Sequence, residues 1–209
     1  PYHKDFVFSD NVTPVVIGPQ ARHPVLFKIW FNKSITKAIR KYEIDLFFSP
    51  DGYLSLKTEV PQVATIHDLN FEHFPEYLRR SHAKYYKKFF PKFSKDAKHI
   101  ITVSEYSKND ISSLYGIDTG KISVIYNGVN SDYKPINKEK KAEIQNKYTS
   151  GKPFFIFVGS LHARKNIAGL IKAFAKFKNE HGTDHKLVLA GAQYDWDSDM
   201  DNAVSDLSS

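Results

Sequence analysis

Short apolar runs alternate with longer stretches in which apolar residues return every three or four positions, an order that predicts parallel strands joined by crossover helices. The runs at 15–17, 45–48, 63–66, 99–103, 122–125, 154–158 and 186–189 are the expected strands. Helical spacing marks 23–42, 80–96, 105–115, 139–148 and 166–181. In the last of these, Ile167, Leu170, Ile171, Phe174 and Phe177 fall on one face. Pro91 is expected to kink or divide the second helix, because it lacks an amide and its ring crowds the preceding turn. Ser104 or Ser107 can cap the third, with Asp110 three residues after Ser107, and Gly116 follows its last turn.

The pattern breaks between Asn127 and Lys152, where NGVNSDYKP supplies turn residues and a lysine-rich stretch follows that is polar on most sides. Asn127 and Gly128 are expected to form a tight turn serving as a hinge. Two domains result, 1–133 and 134–209. The second holds only two strand signals, and a two-stranded parallel piece cannot cover both faces of a doubly wound sheet, so this domain is expected to be truncated. Pro1 at the start and Met200 as the only methionine suggest the same for the whole chain, a fragment of a longer protein.

Composition narrows the classes. A hydrophobic content of 41%, with 14% aromatic residues, supports real cores. The lack of cysteine excludes disulfides and thiolate metal sites and suits a cytoplasmic protein. No apolar run approaches the roughly 18 residues of a membrane span. The net charge of +7 favours anionic partners. It is concentrated between Arg79 and His99, where eight Lys or Arg stand against Asp96, interleaved with Tyr85, Tyr86, Phe89, Phe90 and Phe93. Their helical spacing predicts a core-facing aromatic stripe under a cationic outer face; the alternative is a surface that meets anionic lipid or polymer. After Tyr194 the sign reverses, with Asp195, Asp197, Asp199, Asp201 and Asp206.

The chemistry gathers in FFIFVGSLHARKN, 154–166. An apolar run delivers the chain to Gly159, whose missing Cβ lets the backbone approach a ligand. Arg164 and Lys165 then stand at the start of the last predicted helix, where free amides and the positive dipole end face the same place. Cations there cost about 0.3–1 kcal/mol each unless an anion gathers them, which argues for a diphosphate ligand. The plain alternative is a solvated loop with scattered charges.

Five segments in order, VATIHDLNFEHFPE, HIITVSEYSKNDI, ISVIYNGV, FVGSLHARKNIAGLIKAF and KLVLAGA, resemble the retaining glycosyltransferases of family 4. They span Val63 to Ala192, more than half the chain, and their joint occurrence is far more specific than any one of them. The closest likeness is to the mannosyltransferase-like branch. The resemblance implies an α/β protein of the GT-B type, two Rossmann-like domains with parallel sheets, both incomplete here. It also implies transfer of a sugar with retained configuration, in polysaccharide or glycolipid synthesis, at the inner face of a membrane. The donor would be a nucleotide diphosphate sugar, GDP-mannose or a UDP-sugar, and the acceptor an unidentified glycan or a lipid-linked one. No other cofactor, no metal and no nucleic acid are expected, and peripheral contact with an anionic membrane is a further expectation.

Residue by residue, the likeness assigns His67 to the histidine that contacts the donor sugar from the first domain, with Asp68 orienting it or capping the next turn. Gly159, Ser160, Arg164, Lys165 and Gly191 would line the donor's diphosphate. Lys165 matches the cation that holds the phosphates. The family's other common cation directly follows the glycine, where this chain has Ser160, and Arg164 is the candidate substitute. Lys165, Arg164 and His67 are thus the expected catalytic residues. The family's glycine-rich loop near the amino terminus and its late pair of glutamates have no match, so the chain is expected to be inactive alone.

Two rival readings remain: a nucleic-acid or anionic-membrane binding module built on Arg79–Lys98 and dependent on Lys87 and Lys88, and a nucleotide-sugar epimerase or hydrolase on the same fold. Asp195, Asp197 and Asp199 imitate a calcium loop, but Met200 stands where glycine is needed and no Glu closes it. Their DxD spacing also matches the metal site of the GT-A glycosyltransferases, whose context is absent. His67 and His73 lack a third ligand at a zinc-like spacing.

Overall fold

Four parallel strands form the first sheet in the order β1 (Phe47–Ser49), β2 (Gln62–Thr65), β3 (His99–Thr102) and β4 (Ile122–Val124). The register sets Ala64 beside Ile100 and Ile100 beside Ile122, so one buried apolar row crosses three strands. The computed structural model describes residues 7, 9–19, 21, 23–192 and 198–205. They divide into two units, Pro1–Gly128 and Val129–Ser209, each with its own sheet and core.

In the first unit, α1 (Pro24–Ile29) and α2 (Thr36–Lys41) are joined by a π-helical stretch, Trp30–Ile35, so the long predicted helix is continuous but widened in its middle. After β2 come α3 (Asn70–His73) and α4 (Arg80–Asp96), and α5 (Glu105–Tyr115) follows β3. Pro91 does not divide α4. The apolar face holds the helix through the missing amide: Tyr85, Phe90 and Phe93 are buried, and Phe93 is 1% exposed. Each such burial is worth about 1.5–3 kcal/mol, enough to offset a proline in a helix interior. The aromatic stripe is therefore core, and Tyr53 lies among it with its hydroxyl 3.0 Å from that of Tyr86.

Residues 15–17, expected as a strand, are outside every sheet. Val15 and Val16 stay exposed, and the Ile17 carbonyl accepts from the Trp30 indole instead of a neighbouring strand. The first sheet strand starts two residues later than expected, at Phe47. Ser104 is the cap of α5, accepting from the Ser107 amide, and Gly116 closes the helix in the left-handed conformation. The turn after β4 forms at Asn130, not at Asn127 and Gly128: the Tyr133 amide donates to the Asn130 carbonyl, and the Asp132 amide to its side chain.

The second unit has α6 (Lys138–Thr149), capped by Asn137, then β5 (Phe154–Val158), α7 (Ile167–His181), β6 (Lys186–Ala190) and α8 (Ser198–Ser205). β5 and β6 pair in parallel across five residues, Phe154 with Lys186 through Val158 with Ala190. The core joins Leu161, Ile167 and Ile171 to Met200 and Ala203 of α8. Met200 therefore serves as core, not as a position in an ion-binding loop, while Asp195, Asp197 and Asp206 lie outside the described residues. Ile156 and Val158 remain exposed on β5.

Candidate functional site

At the carboxyl end of the first sheet, the Ile66 amide donates to the Ile101 carbonyl, extending the ladder one residue beyond β2. His67 comes next with its ring exposed. Its Nε2 lies 3.0 Å from the Pro50 carbonyl, just past β1, and must carry the proton to donate there. In the neutral ring this leaves Nδ1 free to accept. The His67 carbonyl accepts from the Ser107 hydroxyl at 3.0 Å, and Ser107 in turn accepts from Ser104 at 3.1 Å. Cap and histidine are thus tied together, although the spacing of the two serines suggested only a cap.

Asp68 accepts from the Asn70 amide at 2.9 Å, so of the two expected roles it caps the next turn. That turn opens α3, which is held from three sides. Phe71 is buried against Tyr86 and Phe90. Glu72 accepts from the Tyr115 hydroxyl at 2.9 Å and lies 3.9 Å from Lys87. His73 Nε2 stands 2.8 Å from Asp110. Asp110, read in the sequence as a capping acid, thus binds a histidine 37 residues away. Burial, then the Glu72 hydrogen bond and the nearby carboxylates, raises the Tyr115 pKa well above the usual tyrosine range.

In the second unit the carboxyl ends of β5 and β6 run into Gly159 and Gly191. The Gly159 amide donates to the Ala190 carbonyl and the Leu161 amide to the Ala192 carbonyl, both at 2.9 Å, so pairing continues past the strands. Gly159 has φ 152°, a conformation that disfavours a side chain. Gly191 is accounted for by packing, since a Cβ there would overlap the Gly159 carbonyl. Ser160 is half-buried, and Leu161 is anchored in the core.

Arg164 and Lys165 do not open the helix. They belong to a 3-10 turn, Ala163–Lys165, in which the Lys165 amide donates to the His162 carbonyl and the Arg164 amide to the His162 ring. Asn166 follows in the left-handed conformation, φ 51°, and its side chain accepts from the Gly169 amide. The cations precede the cap, outside the first turn of the helix to which the dipole effect is confined, so the helix-end penalty expected from the sequence falls away. Both are exposed, and among the described residues neither side chain has an acceptor or a carboxylate partner. The Ile167 and Ala168 amides are likewise open among the described residues. Two cations and two amides without partners among the described residues, at the start of the helix that follows the glycine-ended strand, can bind an anion.

These features define a Rossmann-like α/β protein with chemistry at the carboxyl ends of parallel strands. The Glycosyltransferase Family 4 model matches residues 2–133, and the model for glycosyl transferases group 1 matches 137–207. The chain belongs to glycosyltransferase family 4. It is 28% identical to O-antigen chain mannosyltransferase B of Escherichia coli over 86% of this chain and 48% of that protein. It is 32% identical to O-antigen chain mannosyltransferase RfbU of Salmonella typhimurium over 70% of this chain and 36% of that protein. A solved glycosyltransferase from Rickettsia africae aligns with TM-score 0.57 at 22% identity, over 97% of this chain and 52% of the other. The fold is of the GT-B type. The chain spans about half or less of the length of the curated relatives it matches.

Proposed function

We propose that the protein is a retaining glycosyltransferase that moves a sugar from a nucleotide diphosphate sugar to a glycan or lipid-linked acceptor. The observation that carries this reading is the pair of cations, Arg164 and Lys165, without a partner among the described residues and held in a 3-10 turn between Gly159 and the capped start of α7. As the glycosidic bond breaks, charge grows on the leaving diphosphate, and prearranged cations and amides lower that barrier most. Lys165 takes the phosphates, Arg164 stands in for a cation directly after the glycine, and the exposed His67 contacts the donor sugar. The names of the two curated relatives favour a mannosyl donor and a polysaccharide acceptor of the O-antigen kind. Among the described residues no helix is long and apolar enough to cross a membrane. A cytoplasmic enzyme touching the inner membrane face through the outward lysines of α4 fits this acceptor chemistry.

A thermal-shift panel of nucleotide diphosphate sugars tests the reading, because a ligand at a hundredfold its dissociation constant stabilises by about 2.7 kcal/mol. One donor class should raise the melting temperature while inorganic phosphate does not. Lys165→Ala in the whole protein should slow transfer by roughly 2–4 kcal/mol in activation free energy. Turnover at the parental level with every donor would refute the role of Lys165. Product analysis separates transfer from epimerisation or hydrolysis.

A further inference from the structure

Ser107 spends its hydroxyl outside its own helix. The cap of α5 uses the Ser107 amide, which donates to Ser104 Oγ at 3.1 Å, so the Ser107 side chain is not needed to close the helix start. That side chain belongs to a residue only 5% exposed, and its hydroxyl donates at 3.0 Å to the carbonyl of His67, 40 residues earlier. The Ser104 hydroxyl donates to Ser107 in turn, giving two aligned hydroxyls that end on the His67 backbone. Hydrogen bonds in such a chain strengthen one another.

The same helix holds the far end of the segment that begins at His67. Ser107, Ile111 and Tyr115 recur every four residues and are buried, marking one face of α5 that is about 12 Å long. Along this side Asp110 takes His73 at 2.8 Å, and the Tyr115 hydroxyl donates to Glu72 at 2.9 Å. Between these attachments Leu69 and Phe71 are buried in the core. Residues 67–73 are thus splinted on α5 at both ends and packed in the middle, while the His67 ring stays exposed. The ring has its own tether, Nε2 at 3.0 Å from the Pro50 carbonyl, and Nδ1 has no partner among the described residues. A backbone clamp and a ring clamp leave one nitrogen with a set direction.

We infer that Ser107 is a positioning residue for sugar transfer: through the His67 carbonyl it fixes His67 Nδ1, which accepts a hydroxyl of the donor sugar, while the bond from Asp110 to His73 secures the other end of the same segment. The inference rests on the reading of His67 given above. Ser107 acts only through that histidine. Fixed placement matters because a shift of about 1 Å in a contacting group can cost roughly a hundredfold in rate.

Isotope labelling of the histidine ring nitrogens, read by NMR in alkaline buffer that keeps the imidazole neutral, tests the placement in the chain itself. In the parent, Nε2 of His67 should carry the proton and Nδ1 should not, with His67→Gln identifying the signals. Ser107→Ala should draw the two nitrogen shifts toward each other as the ring exchanges between tautomers. Ser107→Thr, which keeps the hydroxyl, should restore the parental pair. Asp110→Ala should act in the same direction to a smaller degree, and it decides the matter if circular dichroism shows that Ser107→Ala does not fold. In the whole protein, Ser107→Ala should lower kcat for release of GDP from GDP-mannose roughly tenfold with KM changed less than about twofold. In a His67→Ala background the same change should have no further effect, whereas a merely structural role would leave the two losses additive. Nitrogen shifts unchanged by Ser107→Ala and Asp110→Ala, or a Ser107→Ala loss that persists in the His67→Ala background, would overturn the inference. Altered shifts together with full turnover by His67→Ala would instead refute the reading of His67, and with it the part of Ser107 in transfer.

Discussion

The Gly159 carbonyl occupies the space that a side chain on residue 191 would need, a Cβ there lying 2.6 Å from the Gly159 carbonyl carbon. Two parallel strands end in glycines because their backbones approach closely there, with the pairing carried on past them to Leu161 and Ala192. Gly191→Ala should therefore cost roughly 3 kcal/mol or more through overpacking against backbone. Gly159→Ala meets only the Phe157 ring at 3.4 Å and should cost about 1–3 kcal/mol through its backbone angle alone. Hydrogen exchange at the β5 and β6 amides measures both, and a milder effect at position 191 would refute the packing account.

Asn166 and Gly169 form a second dependent pair. A Cβ at residue 169 would stand 2.5 Å from Asn166 Oδ1, so the cap requires the glycine. Gly169→Ala alone should destabilise by about 1 kcal/mol through loss of the cap. In an Asn166→Gly background, which tolerates the left-handed backbone, the same change should stabilise by about 1 kcal/mol through helix propensity. A double-mutant cycle by urea denaturation reads the coupling, and simple additivity would contradict it.

The Thr102 hydroxyl is buried at the end of β3 without a hydrogen-bond partner among the described residues. Replacing it by a methyl group removes an unsatisfied polar atom at nearly constant shape. Thr102→Val should raise unfolding free energy by about 1 kcal/mol, and a loss of that size would reveal a partner for the hydroxyl.

Burial, and next the neighbouring Tyr86, pushes the Tyr85 phenol from 10.0 up to about 12. The folded state thus holds this proton more tightly than the unfolded one. Its contribution is complete below pH 10.0 and is lost as pH rises toward about 12, at a total of roughly 2–3 kcal/mol. Tyr53 and Tyr115 are shifted the same way, so the first unit should weaken in alkali. Tyr85→Phe should make that alkaline limb shallower in denaturant titrations; an unchanged slope would count against a buried phenol.

Much of the architecture was legible from periodicity. Expected boundaries match for β5, α4 and α5, because each element carries its own apolar face and, in α5, its own cap and terminating glycine. The failures have local causes as well. Residues 15–17 look like a strand but lack a ladder partner, and Asn127 with Gly128 resembles a turn while Asn130 supplies the side-chain acceptor that closes one. At the candidate anion site the sequence set Arg164 and Lys165 at the opening of the helix, whereas the structure places them ahead of its cap. Nothing in the motif shows that Asn166 turns left-handed and sets Arg164 and Lys165 in a separate turn ahead of the helix.

Spacing and side-chain type were enough to establish parallel α/β order and the aromatic stripe of α4, since these depend on neighbours a few residues apart. Only the folded chain could decide that Asp110 binds His73 instead of capping, that Ser107 holds the His67 carbonyl, and that Gly191 makes room for Gly159. Those pairs are far apart along the chain and adjacent only because parallel strands bring their carboxyl ends together, so their energies depend on packing that no local pattern records.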